Sequence, residues 1–456
     1  MGERVRAPVH RDERVVILGA GPCGLACARE LERLGHYNWV VLERTDHPGG
    51  LASSVVDPAG FTWDHGGHVV FSHFGEFDRL LREMLGEEVL HHERSSFVRF
   101  RDRWVPYPFQ SNLRHLPPDV AYECIVGLVG ADGAGGGLDF ATWMTAVFGE
   151  GVTRHFMAPY NWKVWATPLD RMSSTWLSER VAVPDYRRAL RNILYGTDDL
   201  GWGPNNRFAF PARGGTGEIY RRLAASLGSR VRYRADVCSI DATQRIVRTA
   251  DGGVERYDVL VSTAPLDRLV EAMAACPKEV RHAARELEHN EVYVVGVGYQ
   301  APLRDDRSWL YFPGTDVPFY RATNFAKYAP SNVPDGDTTR FSSYMTEVSH
   351  SRWRPRSPVG IEDEVDGALR AQGVVAPDAT TVSTHVIPIN RAYPVPTLGR
   401  DGALAVIHEW LMANSIYSRG RMGSWRYEIG NMDHAVKMGI DVARHVTTGQ
   451  REELWA

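Results

Sequence analysis

The feature that most constrains this chain is a glycine turn set between a strand and a helix. Val15-Val-Ile-Leu-Gly19 is a short apolar run that reads as a strand and passes directly into Gly19-Ala-Gly21-Pro-Cys-Gly24. Leu25, Ala28, Leu31 and Leu34 then keep one apolar face at helical spacing until Gly35 stops it. A second apolar strand, Trp39-Val-Val-Leu42, ends at Glu43, an acidic residue about twenty positions past the turn. Strand, glycine turn, helix, strand and acidic terminus specify a dinucleotide-binding unit. The first glycine makes the tight turn, the second lets backbone approach a pyrophosphate, and the third lets helix pack on strand. Helix N–H groups meet the phosphates, and Glu43 accepts from the ribose hydroxyls.

Composition narrows the rest. With 456 residues there is room for several domains of about 150 residues each. Lys plus Arg is 52 against 56 for Asp plus Glu, a net charge of −4, so bulk nucleic-acid binding is not expected. An anionic ligand has to be met by local arginines. Five cysteines make no disulfide framework; Cys23 and Cys27 read as small buried hydrophobes in the first helix. The charged stretch Met1 to Arg14 lacks the apolar core of a signal peptide, and no apolar run reaches the about 18 residues of a membrane span. The expectation is a cytoplasmic protein without a membrane partner, with a homo-oligomer left open.

A second glycine pair follows the acidic residue, in His47-Pro-Gly49-Gly50-Leu51, and a third lies in His65-Gly66-Gly67-His68. The pair at Gly49 resembles that of flavoproteins related to amine oxidases and protoporphyrinogen oxidase, where it lies along FAD. Further on, Arg213-Gly-Gly-Thr-Gly217 leads into a helix over Glu218–Leu227, with short strands around Val231, Val237 and Ile246. Asp251-Gly-Gly253 is a turn, and Tyr257 to Ala264 is a buried strand. The fold class is α/β: a discontinuous Rossmann-like FAD-binding domain (1–90, 206–265 and 398–456) with two inserts. Pro117 to Tyr195 carries helical stretches rich in Trp, Met, Leu and Arg, a helical domain over 111–205. From Val292 to Pro396 β-branched and aromatic residues alternate, an antiparallel sheet domain over 91–110 and 266–397.

Four groups carry chemistry. His65, His68 and His73 invite a metal, but no carboxylate or cysteine completes a site, so a histidine beside a flavin ring is favoured and no metal is expected. Tyr107, Phe109, Gln110, Asn161 and Trp165 suit a stacked base read by amides, although such aromatics are also ordinary core. Arg180, Arg321 and Arg421 sit in apolar, aromatic text and must be paired or bind an anion; a diphosphate and buried ion pairs stand equally. Asn431 reads as the N-cap of the last helix, whose dipole favours negative charge such as the pyrimidine side of a reduced flavin.

Several strings then become recognisable together. Tyr160-Asn-Trp-Lys-Val-Trp-Ala-Thr-Pro, Trp176-Leu-Ser-Glu-Arg-Val, Gly203-Pro-Asn-Asn, Phe210-Pro-Ala-Arg-Gly-Gly-Thr-Gly, Trp309-Leu-Tyr-Phe-Pro, Phe319-Tyr-Arg-Ala-Thr and Ser424-Trp-Arg-Tyr-Glu resemble the flavin-dependent UDP-galactopyranose mutases, in their eukaryotic-type branch. The likeness runs in order from about Val15 to Val446. It implies a redox-neutral isomerase that exchanges pyranose and furanose forms of a UDP-sugar, galactose by default, through an adduct of the sugar with N5 of reduced FAD. NADPH or NADH is the implied reductant. By the same resemblance, His68, Arg180 and Arg321 are catalytic. FAD is held by Gly19, Gly21, Gly24, Glu43, Gly50, Leu51, Gly66, Gly67, Val237, Arg421, Asn431 and Met432. Uridine falls to Tyr107, Phe109, Gln110, Asn161 and Trp165; sugar and diphosphate fall to Arg180, Asn205, Tyr311, Arg321, Tyr328, Tyr393 and Tyr427. One departure is Ile389-Asn-Arg-Ala-Tyr393, where relatives more often place histidine-glycine before the tyrosine. The alternative from another class is an FAD-dependent oxidoreductase of the amine oxidase or protoporphyrinogen oxidase type.

Overall fold

The computed structural model describes residues 8–131, 133, 139–177 and 181–455. Val15–Leu18 is buried along its whole length and forms the middle of a five-stranded parallel sheet. Across the sheet the order is Ile416–Ser418, Val259–Ser262, Val15–Leu18, Trp39–Leu42 and Val231–Arg232. Every neighbouring pair is parallel, which is why the strands read as unbroken apolar runs: both faces are covered. Helices Pro22–Arg33, Gly217–Leu227 and Met432–Thr448 share the core on one face. On the other lie the three-stranded sheet of Val237–Asp241, Ile246–Thr249 and Val254–Arg256, and helix Arg400–Ala413. Three distant stretches of chain thus build one nucleotide-type domain.

Helices Leu266–Glu271 and Lys278–Arg285 lie past the boundary drawn at 266, which assigns them to the antiparallel sheet. They pack on the parallel sheet instead, because Leu266, Leu269, Val270 and Val280 bury against Val16, Leu18 and Leu260. Cys23 and Cys27 are both buried in the first helix, and burial pushes the Cys23 thiol up to about 12. Buried hydrophobes is the right description of them.

The second sheet has seven strands, in the order Thr380–Pro394, His289–Gln300, Ser342–His350, Arg321–Asn324, Trp309–Tyr311, Ser96–Phe100 and Arg103–Pro106. It is antiparallel except where Trp309–Tyr311 meets Ser96–Phe100 in parallel, the junction at which a strand arrives from far along the chain. Separate apolar clusters cover its two faces, so Ser342–His350 is buried almost throughout rather than alternating. Helices Pro118–Gly130, Phe140–Val152, Ala158–Trp165 and Tyr186–Tyr195 form the helical insert, whose core takes in Val98 and Val105 from the sheet's end. Among the described residues no helix is long and apolar enough to cross a membrane.

Candidate active site

The first part of the site is the turn that opens the chain's parallel sheet. Gly19 has φ +98, and a Cβ there would meet Thr263 Oγ1 at 2.3 Å. At Gly24 a Cβ would lie 2.0 Å from the Gly19 carbonyl oxygen. Gly21 differs: its Cβ would meet only the Gly49 carbonyl oxygen, at 4.0 Å. That glycine is therefore not demanded by the protein's own packing, and it sits at the N-cap of Pro22–Arg33, where free N–H groups and the helix dipole favour a phosphate. Glu43 is buried beside it, accepting from Ala20 N–H at 2.8 Å and from the Thr45 N–H and hydroxyl at 2.9 and 2.8 Å. Gly50 opens the short turn that follows. Val237 is partly buried against the neighbouring core, two residues beyond Ala235, whose N–H donates to the Glu43 carbonyl.

A cavity of about 240 Å³ lies against the seven-stranded sheet. Leu51, Gly66, Gly67 and His68 form one wall, Val292, Val294, Ile389 and Ala392 another, and Arg421, Asn431 and Met432 close it at the start of the last long helix. Asn431 occupies the N-cap position of Met432–Thr448, as its residue type predicts, although its side chain makes no capping hydrogen bond. Arg421 is anchored by its Nε on the Gly430 carbonyl at 2.7 Å. Burial, helped by Arg421 and Arg321 against Glu347, pushes His68 down to about 3. The imidazole is neutral at ordinary pH, and its buried Nδ1 has no hydrogen-bond partner among the described residues. An open glycine at a helix start, a buried carboxylate at the strand end and an unpartnered imidazole nitrogen are groups that a bound FAD would find a use for.

Asn205, Tyr311, Tyr320, Arg321, Tyr393 and Tyr427 also line the cavity. Arg321 donates to Glu347 through Nε at 3.0 Å and Nη2 at 2.6 Å, so of the two readings open for this arginine the ion pair is present, on the cavity wall itself. Tyr320 and Tyr393 bring their hydroxyls to 3.3 Å. Tyr328 stands apart. It is fully buried, with ring centroids 5.2 Å from both Phe208 and Phe210, and it belongs to the core beneath the cavity, not to its lining. Arg180 lies outside the described residues.

The five residues assigned to a base lie in and beside the helical insert. Tyr107 is half-buried, 5.2 Å from Tyr311 between ring centroids, with the Arg94 guanidinium 5.2 Å from its own. Phe109 is inaccessible, stacked on Phe156 at 4.7 Å. Gln110 donates to the Ala182 carbonyl at 2.6 Å, and its buried Oε1 has no partner among the described residues. Asn161 donates to the Met157 carbonyl at 2.8 Å. Trp165 is only 1% exposed, in edge contact with Trp176 and Tyr427. None of these five lines the cavity itself; Tyr107 comes nearest, through its contact with Tyr311.

Three residues went unnoticed in the sequence. Glu347 receives Arg321 and the Gly67 N–H, the latter at 2.8 Å; its signal was a lone carboxylate within Ser342–His350. Arg94 packs on Tyr107 and donates to Asn205 Oδ1. Asp433 lies 2.7 Å from His73 Nδ1 and 3.0 Å from His434 Nδ1, so a carboxylate does stand beside His73, brought from 360 positions along the chain. Among the described residues these three form one group whose ligand-type atoms fall within 4.8 Å; His65 and His68 are not in it.

With that geometry in place, known proteins bear on it. The family described as flavin containing amine oxidoreductase matches residues 22–447. A solved structure of reduced UDP-galactopyranose mutase superimposes with a TM-score of 0.92 at 39% identity, covering 95% of this chain and 93% of that one. Among curated proteins, the NADH glutamate synthase of Schizosaccharomyces pombe is 53% identical over 47 residues, 10% of this chain. The 15-cis-phytoene desaturase of Synechococcus elongatus is 34% identical over 85 residues, 19% of this chain. The chain spans 2% and 18% of the lengths of these two curated relatives.

Proposed function

The chain belongs to the UDP-galactopyranose mutase family of flavin-containing proteins, and from that premise we propose that this flavin-dependent isomerase interconverts the pyranose and furanose forms of a UDP-sugar, with galactose the sugar to try first. The observation that carries the reading is the single cavity that joins the FAD-type wall at Gly66–His68 to a wall of tyrosine hydroxyls and arginine. An oxidase of an apolar substrate has no use for Tyr311, Tyr320, Tyr393 and Tyr427 on one surface, whereas a hexose diphosphate needs donors along its length.

Reduced FAD, when bound, supplies a nucleophilic nitrogen for the anomeric carbon. The chain's residues do the rest. Tyr311, Tyr393 and Tyr427 offer hydroxyls to phosphate oxygens. Tyr107 offers a ring face to uracil, with the Gln110 Oε1 as an acceptor for a base N–H. Arg321, already neutralised by Glu347, orients rather than supplies net charge, so the diphosphate's charge falls to Arg421, Arg94 and Arg180. His68, neutral and with Nδ1 unpartnered, exchanges donor and acceptor roles on the flavin side without changing charge. The start of Met432–Thr448 presents N–H groups to negative charge at its end of the cavity.

The test uses holoenzyme reduced chemically and supplied with UDP-galactopyranose, products being separated by chromatography. The furanose should form only with reduced enzyme, and NADPH or NADH should be needed to start turnover but not consumed in proportion to product. Equal turnover by oxidised enzyme, or one reductant used per product, transfers the chain to the oxidoreductase class. A second expectation concerns the base. UDP should compete with the UDP-sugar, and GDP should compete at least about tenfold less well, because a purine is larger than uracil and presents a different hydrogen-bonding edge. Equal competition by GDP removes uridine from this pocket.

A further inference from the structure

The Arg321–Glu347 pair does more than fill a wall. Glu347 is 3% exposed and takes donors from Arg321 Nε at 3.0 Å, Arg321 Nη2 at 2.6 Å and the Gly67 N–H at 2.8 Å, with the Tyr320 hydroxyl as a further donor. Burial alone would raise its carboxyl, but Arg321 and the Gly67 N–H outweigh that and hold it below the ordinary carboxylate range. The glycine loop sits directly on the pair. A Cβ at Gly67 would meet Thr323 Oγ1 at 2.5 Å and Arg321 Nη2 at 3.4 Å, and one at Gly66 would meet Glu347 Oε1 at 3.5 Å and His68 Cε1 at 3.3 Å. Thus the loop that carries His68 and the guanidinium on the cavity wall share one carboxylate. The strand carrying it, Ser342–His350, is paired on one side with Arg321–Asn324, with Arg321 opposite Glu347 in register, so neither partner is free to drift.

We propose that Glu347 is a positioning residue for this reaction: it locks Arg321 and the Gly66–His68 loop into one unit and cancels the arginine's charge at the cavity wall. The proposal rests on the mutase reading for its substrate side only. Two consequences separate it from a purely structural ion pair. Removing the charge while keeping the shape leaves a cation beside the flavin, which stabilises the anionic reduced form. Keeping the charge while shortening the side chain loses the contact with Gly67 without changing the field.

The experiment measures FAD-loaded Glu347→Gln and Glu347→Asp by the midpoint potential of the bound flavin, by UDP affinity without turnover, and by kcat and KM. Glu347→Gln should shift the flavin potential to more positive values and bind UDP at least about threefold more tightly, while kcat falls about tenfold or more, a mobile Arg321 no longer holding the sugar. Glu347→Asp should keep the wild-type potential with a lowered kcat and an unchanged KM. Removing one partner of a buried pair is costly to stability; if Glu347→Gln retains no FAD, Glu347→Asp decides alone. A Glu347→Gln protein with wild-type potential and UDP affinity, altered only in melting temperature, overturns the proposal, as does a Glu347→Asp protein with wild-type kcat. The potential is read without any sugar, so failure of the proposal is distinct from failure of the mutase assignment, which wild-type product analysis decides.

Discussion

Gly24→Val should purify colourless. The Cβ it adds would lie 2.0 Å from the Gly19 carbonyl oxygen and 3.3 Å from Ile17 Cγ2, so the helix that caps the turn has to move off the strand. That displaces the N–H groups from the phosphates, and each 1.4 kcal/mol of lost binding is a tenfold loss in occupancy; FAD per chain should fall below about one tenth after reconstitution. The informative companion is Gly21→Ala. Here the protein offers room, the nearest atom being 4.0 Å away, so the melting temperature of the FAD-free protein should stay close to wild type while FAD uptake is lost. Absorbance at the flavin band against total protein reads both. A Gly21→Ala protein that takes up FAD in full would move the pyrophosphate away from this turn.

Trp165→Ala should be among the most destabilising substitutions in the chain, by about 3–5 kcal/mol. Its ring is 1% exposed and meets Trp176 at 5.0 Å, Tyr427 at 4.8 Å and Tyr393 at 6.0 Å between centroids. Two of those neighbours line the cavity. The expected result is a much lower denaturation midpoint together with weaker UDP binding, the second because Tyr393 and Tyr427 lose the wall behind them. Trp165→Phe should recover most of both. Weakened UDP binding with undiminished stability would mean that the indole touches the nucleotide directly.

What the sequence reveals about this protein is what short-range chemistry controls. Val15–Leu18, the turn through Gly24, the helix to Arg33 and the strand ending at Leu42 lie within one local stretch, and there Gly19 and Gly24 are required by their own neighbours. The helical insert was legible from composition, in stretches rich in Trp, Met, Leu and Arg between Pro117 and Tyr195. The sheet domain was legible only in outline. Its central strands are covered on both faces, which removes the alternation that betrays an exposed strand. The two helices after 266 show the limit more sharply: their apolar faces are plain in the sequence, but nothing local says which of two sheets they cover.

The candidate site divides along the same line. Gly19, Gly24 and Glu43 follow from local text. Glu347 does not, because its partners Arg321 and Gly67 lie 26 and 280 positions away, and a carboxylate becomes a positioning group only when the fold delivers a cation and a backbone donor to it. Tyr328 illustrates the converse: a tyrosine in suitable text is carried into the core by Phe208 and Phe210. By itself the sequence determined a dinucleotide turn, a discontinuous α/β architecture and a family likeness, because these depend on residue types in fixed local order. Which arginine is neutralised, which aromatic rings stay reachable and which loop shares a carboxylate with which strand were decided only by tertiary structure, since burial and pairing between distant residues are properties of the folded chain alone.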